Sequence, residues 1–158
     1  YKSATPTHFR LVNSIEDCER ELISHVKQYG IELVCVDYIQ LINSNKGGLY
    51  EQTTDVSKRL KGLCRDYNVA MIALSQLSRE VEKRDSLEIH LADLANSGGI
   101  ERDACGIACG YWWAKSNAED APQDAYDIFL LKRRNGPVHR KQTRIVFDGQ
   151  RQLFSSKE

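Results

Sequence analysis

The chain has 158 residues, 41% of them hydrophobic and 28% charged, which is enough for one packed core and excludes an intrinsically disordered segment. Its 22 basic residues balance its 22 acidic ones, so it is not built to coat nucleic acid by charge alone, although a local basic strip remains compatible with zero net charge. No apolar segment approaches the length that crosses a bilayer, and no signal-peptide pattern opens the chain.

Residues 1–8 form a polar lead-in containing Pro6, and Phe9-Arg10-Leu11-Val12 is expected to be a short strand. Ser14 is placed to cap a helix, with Glu16 and Asp17 in the first turn to suit its dipole. Ile15, Cys18, Leu22, Val26 and Tyr29 recur at three and four residues and make one apolar face, and Gly30 stops the helix. Leu33-Val34-Cys35-Val36 follows, an apolar run with a β-branched bias that predicts a strand buried on both faces and closed by Asp37. After a polar, glycine-rich loop at residues 43–48, a second amphipathic helix is expected from about residue 51 to residue 67, with Val56, Leu60, Leu63 and Tyr67 inward and Asn68 ending it. Val69-Ala70-Met71-Ile72-Ala73-Leu74 is a further strand, closed by Ser75-Gln76. Strands alternating with helices predict an α/β fold built on a parallel sheet with right-handed crossovers.

Residues 77–96 are charged and aperiodic and are expected to form a long exposed loop, of the kind that is usually functional or mobile. Ser97-Gly98-Gly99 is a hinge into a short helix at 100–104, and a strand is expected at 106–113. The acidic, Pro-containing stretch 118–127 reads as a solvated loop. A strand beginning at Ile128 runs into Lys132-Arg133-Arg134, and Asn135-Gly136-Pro137 is turn chemistry. Residues 143–147 return as a strand, with Asp148-Gly149 turning into 151–154. The last third is therefore antiparallel, added to a parallel core, and residues 1–158 are expected to form a single domain.

Cys18, Cys35, Cys64, Cys105 and Cys109 are odd in number and lack zinc-site spacing. All five read as small buried hydrophobes in a reducing compartment. The four histidines are scattered and suggest no metal site.

Chemistry is expected at the carboxyl edge of the parallel strands, where such sheets place their ligand crevice. Asp37 and Gln76 both lie there, and if their strands are neighbours a carboxylate and an amide face one phosphate or water. Asp37 taken alone reads equally well as a magnesium-binding carboxylate or as a strand-end Asp capping a turn. Gln76 alone is by default an exposed loop residue, and Lys132, Arg133 and Arg134 a solvated basic strand end. Tyr111, Trp112 and Trp113 suggest a base-stacking platform, but alternation along a strand splits them between faces, as core plus one edge contact.

Four stretches, in one order, resemble the DnaB-type replicative helicases: Val36-Asp37-Tyr38-Ile39-Gln40-Leu41; Ala73-Leu74-Ser75-Gln76-Leu77-Ser78-Arg79; Asp93-Leu94 with Ser97-Gly98-Gly99-Ile100-Glu101-Arg102-Asp103-Ala104; and Lys132-Arg133-Arg134-Asn135-Gly136-Pro137. The resemblance covers nearly the whole chain. It implies the carboxyl-terminal RecA-like motor domain of a hexameric, ATP-driven helicase that encircles single-stranded DNA. The same resemblance implies ATP and Mg2+ as cofactors, primase and loader proteins as further partners, and a bacterial or phage-like cytoplasmic setting. Position by position, Asp37 resembles the Walker B carboxylate that holds magnesium through water. Gln76 resembles the γ-phosphate sensor, and Arg134 an arginine finger with Lys132 as its companion. Asn96, Ser97, Gly98 and Arg102 resemble the DNA-binding loop of the central channel.

The resemblance has gaps. No G-x-x-x-x-G-K-[ST] phosphate loop occurs in the sequence, and in the family that loop and the water-activating glutamate lie upstream of the first strand. The chain is thus expected to be a fragment beginning after them, and a poor ATPase alone. Where the family's channel loop carries Asp-Leu-Arg-Glu-Ser-Gly, this chain has Asp93-Leu94-Ala95-Asn96-Ser97-Gly98, losing a cation, and Cys105 replaces the pattern's final Asp. Other RecA-like ATPases, of recombinase or clock type, are an alternative. A catalytically silent RecA-fold interaction module is another, from a different class.

Overall fold

A computed structural model describes residues 8–78, 80–81, 89–94, 98–113, 122–137 and 143–155. The chain divides into two compact units: Tyr1–Ser78 with Leu94–Asp103, and Arg79–Asp93 with Ala104–Glu158.

The first unit is built on two helices. In α1 (Ile15–Tyr29) the Ser14 hydroxyl accepts from the Asp17 N–H at 3.1 Å, satisfying one orphan donor of the first turn, and Gly30 closes the helix at φ 62°. Ile15, Cys18, Leu22 and His25 form its buried stripe. Helix α2 (Leu49–Tyr67) begins two residues earlier than the spacing predicts and ends at Asn68 in the left-handed conformation. Val56, Leu60 and Leu63 of its buried face pack with Ile15, Cys18 and Leu22 of α1 and with Val36, Ile39, Ile42 and Val69 into one core, and Thr53 and Ser57 are buried as well. Arg59 of α2 ties the two helices from outside, with Nη2 on Glu19 at 2.5 Å and Nη1 on Glu16 at 2.5 Å.

Strands β1 (Leu33–Val36) and β2 (Ala70–Ala73) pair in parallel, Leu33 opposite Ala70 and Val36 opposite Ala73. The expectation of burial on both faces fails. Val36 is buried, whereas Leu33, Cys35 and Ile72 are exposed, because the helices cover one face of the pair and no described residue covers the other. Residues 9–12 are not a strand: Phe9 and Leu11 project into solvent, and the bridge that follows them joins Ser14 to Asn43. Helix α3 (Gly98–Asp103) packs on α2.

The second unit is an antiparallel sheet of β3 (Gly106–Trp112), β4 (Ala125–Arg133), β5 (Thr143–Asp148) and β6 (Leu153–Ser155), in that order. The β5–β6 turn is held by Asp148, whose Oδ1 accepts from the N–H groups of Gln150 and Arg151. Two expectations are corrected here. Residues 125–127 belong to β4, and Asp127 is fully buried, because Arg144 and the Trp113 indole N–H both bond its carboxylate; composition alone had made this acidic stretch a loop. The segment after Leu77 is not uniformly exposed: Val81, Ile89, Asp93 and Leu94 are buried, with Leu91–Asp93 a single 3-10 turn. The segment 118–121 and the lead-in 1–7 lie outside the described residues.

The cysteines also divide. Cys18 and Cys109 are buried, Cys64 is half-buried, and Cys35 and Cys105 are exposed, since Cys35 lies on the open face of β1 and Cys105 just before β3.

Candidate nucleotide and nucleic-acid site

The parallel register settles which polar groups meet at the carboxyl edge of β1 and β2. Val36 and Ala73 are partners, so the chains leaving the two strands start side by side. The Leu74 N–H donates to the Val36 carbonyl at 2.9 Å, and the Ile39 N–H donates back to the Leu74 carbonyl at 3.0 Å. Asp37 follows immediately after β1 and is exposed; Gln76, three residues beyond β2, is exposed as well. The peptide joining Asp37 to Tyr38 is cis. No described residue holds the Asp37 carboxylate in an ion pair, and no described cluster of three or more His, Cys, Asp or Glu forms a metal cage. Asp37 is the carboxylate at this edge that could hold a hard cation.

Sequence reasoning passed over Gln40. This residue sits in the 3-10 turn Ile39–Leu41 and reaches across to the β2 side. Its Nε2 donates to Ser75 Oγ at 2.9 Å, and its Oε1 accepts from the Gln76 N–H at 3.4 Å. The available signal was one amide between the apolar residues Ile39 and Leu41, inside a motif already singled out for Asp37.

In the second unit, Lys132 and Arg134 lie at the end of β4. The register along β3 shifts between Ile107, opposite Lys132, and Ala108, opposite Leu130, so Leu131 is an extra residue on β4. Strict alternation would send Lys132 to the face of Ile128 and Leu130. The bulge instead sets it opposite Ile107, on the face that carries Cys109 and Phe129. The Arg134 N–H donates to the Cys105 carbonyl at 2.8 Å, fixing the backbone where β4 gives way to the turn at 135–137 while the residue stays exposed.

Of the four residues expected to touch DNA, Asn96 and Ser97 lie outside the described residues. Leu94 pairs with Leu77 in an isolated antiparallel bridge, and α3 starts at Gly98. Both glycines at the start of α3 are set by close approach to α2. A Cβ on Gly98 would meet the Tyr50 hydroxyl, and one on Gly99 would lie 2.8 Å from Thr54 Cα. At the other end of α3, Ser57 Oγ donates to Asp103 Oδ2 at 3.0 Å and Lys61 Nζ to the Asp103 carbonyl at 3.0 Å. Arg102 is exposed, with Nε 3.7 Å from Asp103 Oδ1.

A helix-backed parallel pair with polar groups at its carboxyl edge, followed by antiparallel strands whose end carries cations, defines a RecA-like ATPase fold. The chain belongs to the DnaB-like helicase C terminal domain family, whose model matches residues 10–156. The replicative DNA helicase DnaB of Geobacillus stearothermophilus is 34% identical over 123 residues, 76% of this chain and 27% of that protein. A probable replicative DNA helicase of Trieres chinensis is 37% identical over 118 residues, 71% of this chain and 26% of that protein. Among solved structures, a DnaB-like replicative helicase studied for its interactions with primase superposes at TM-score 0.81 with 29% identity, over 92% of this chain and 35% of its own. An ATPase domain superposes equally well, at 30% identity over 92% of this chain and 52% of its own. The chain thus spans about a quarter of the length of the curated relatives it matches. No helix among the described residues is long and apolar enough to cross a membrane.

Proposed function

We propose that this chain is part of the motor of a replicative DNA helicase, a hexameric ring that couples ATP hydrolysis at its subunit interfaces to translocation on single-stranded DNA. In this reading the two units are parts of one RecA-like ATPase domain. The setting is a reducing cytoplasm, with primase and loader proteins as further partners. The observation that carries the proposal is the parallel pairing of Val36 with Ala73, which starts the Asp37 and Gln76 segments from adjacent strand ends.

Magnesium, when bound, would supply positive charge against the phosphates of ATP. Asp37 is the residue that would hold that ion. Gln76 offers an amide to the γ-phosphate or to the water beside it, and loses that partner after hydrolysis. Arg134, with Lys132, reaches the nucleotide of the neighbouring subunit and stabilises charge as it builds in the transition state. Asn96, Ser97, Gly98 and Arg102 hold the phosphates of the strand in the ring. With Ala95 in place of a cation, this grip rests more on neutral donors than on charge.

The test is magnesium-dependent ATP hydrolysis and strand unwinding by the intact protein and its Asp37→Asn variant. Hydrolysis by the parent and a weakened magnesium dependence in the variant support the reading. An unchanged magnesium dependence removes Asp37 from the metal site, and an intact parent that hydrolyses no ATP favours a silent interaction module.

A further inference from the structure

The loops carrying Asp37 and Gln76 do different jobs in the proposed cycle, one holding the metal and the other reading the γ-phosphate. Their backbones share two hydrogen bonds just beyond the strands, between Leu74 and Val36 and between Ile39 and Leu74. Past that point the ladder ends, because residues 39–41 coil into a 3-10 turn. Gln40 continues the connection with its side chain. One amide end donates to Ser75 Oγ at 2.9 Å, and the other accepts from the Gln76 N–H at 3.4 Å.

The chemistry of that position is restrictive. It needs an acceptor for the Gln76 N–H and a second polar atom for the Ser75 hydroxyl, best met by an amide whose N–H donates to that oxygen, on a stem long enough to cross from the first loop to the second. Glutamate keeps the length and both acceptors but has no donor when ionised; lysine and arginine have no acceptor; asparagine has both groups on a shorter stem. The two bonds fall on consecutive residues of the sensor loop, Ser75 and Gln76, and the second is to the backbone of the sensor residue itself. A displacement of Gln76 on loss of the γ-phosphate therefore pulls on a residue three positions from Asp37.

We infer that Gln40 is a positioning residue that makes the metal-holding loop and the γ-phosphate sensor move as one body. The inference rests on the nucleotide-site reading proposed above. It requires that loss of the amide disturb the response to the γ-phosphate more than the binding of nucleotide as such.

The experiment uses the intact protein with Gln40→Ala and Gln40→Glu, and Gln76→Ala as reference. Four quantities are read: kcat and KM for ATP, the affinity ratio of a non-hydrolysable ATP analogue to ADP, and the melting temperature. Gln40→Ala is expected to leave KM within about threefold while kcat falls roughly 10- to 100-fold, the scale of a small misplacement at a reacting centre. Its analogue-to-ADP ratio should fall toward that of Gln76→Ala. Gln40→Glu can accept from both the Gln76 N–H and the Ser75 hydroxyl, and should recover part of both losses. If Gln76→Ala loses discrimination while Gln40→Ala keeps the parent kcat and ratio, the coupling is overturned and the sensor reading stands. If Gln76→Ala itself behaves as the parent, the sensor reading falls and takes the coupling with it. A Gln40→Ala variant that only melts earlier, with parent kcat and ratio where it is folded, reduces Gln40 to a structural tie and also overturns the inference.

Discussion

Arg144 grips the fully buried Asp127 with two parallel bonds, Nε to Oδ1 and Nη2 to Oδ2, both 2.8 Å, while its guanidinium lies 5.5 Å from the ring centre of Trp113. Asp127 of β4 and Arg144 of β5 are register partners, and Trp113 follows directly on β3. Asp127 is sealed from water whereas the Arg144 side chain is 44% exposed, so the two ends of the pair respond differently to substitution. Arg144→Ala leaves a buried carboxylate with the Trp113 N–H still bonded to it. We expect a loss of about 2–4 kcal/mol in denaturant unfolding, somewhat below the usual cost of orphaning a buried charge. Replacing both partners, Asp127→Leu with Arg144→Met, should be milder than Arg144→Ala alone, because no charge is then left buried. A single variant that unfolds at the parent midpoint would show that the carboxylate is not dependent on its cation.

A second prediction tests the proposed hydrolysis across a subunit interface. In the intact protein, Arg134→Ala should keep nucleotide affinity and lose most hydrolysis, on the scale of about 10³-fold, because a finger acts only as charge builds in the transition state. Asp37→Ala subunits should be inactive in their own sites yet still lend Arg134 to a neighbour. Mixing the two inactive proteins is therefore expected to restore some ATPase activity. Parent-rate hydrolysis by Arg134→Ala, measured at saturating ATP, would contradict the finger assignment.

Both predictions touch residues that were unequally legible in the sequence, and the reason is physical. The helices could be read from local signals alone: a Ser14 cap, a Gly30 or Asn68 stop, and an apolar stripe between. The carboxyl edge was legible too, since any parallel arrangement puts Asp37 and Gln76 at the same end. Adjacency was not, because it depends on register between residues 37 apart in the chain, and only the pairing of Val36 with Ala73 supplied it. Asp127 was misread because acidic, Pro-containing composition argues for solvent, whereas its partner Arg144 is contributed by a different strand. The bulge at Leu131 leaves no pattern of its own, and it reverses the face that alternation assigns to Lys132. Gln40 failed for a related reason: a long amide in a turn has no period, and its meaning lies in the two residues it reaches.

The buried thiols give a pH prediction. Burial, with a smaller contribution from Asp93, pushes the Cys109 thiol up to about 11, and burial raises Cys18 in the same direction. At pH 8 a thiol near 11 is about one part in a thousand thiolate, so Cys109 should resist maleimide in the native protein and react once unfolded. The folded state keeps its proton where the unfolded thiol, near 9.0, has begun to lose it. The contribution to stability is thus whole below about pH 9 and declines as pH rises toward about 11. Unfolding midpoints measured from pH 8 to pH 11 should fall, and fall less steeply in Cys109→Ala. Equal slopes in the two proteins would show that another group governs the alkaline limit.

The last prediction separates support from contact at the proposed DNA loop. Gly99 faces the backbone of α2, where Thr54 Cα leaves no room for a Cβ, while Gly98 faces the end of the exposed Tyr50 side chain, which can swing aside. Gly99→Ala should therefore destabilise the protein by about 1–3 kcal/mol, the usual cost of overpacking, and Gly98→Ala by less. Binding of single-stranded DNA by the intact protein then reports on contact. Arg102→Ala should weaken binding across all sequences and reduce the salt slope by about one, the signature of one lost phosphate contact. Asn96→Ala and Ser97→Ala remove neutral donors, and should weaken binding while leaving the slope as it was. If all three variants bind DNA with the parent affinity and slope, this loop is not in the path of the strand. If Gly99→Ala weakens binding only in proportion to its loss of folded protein, α3 supports the loop without touching DNA through that residue.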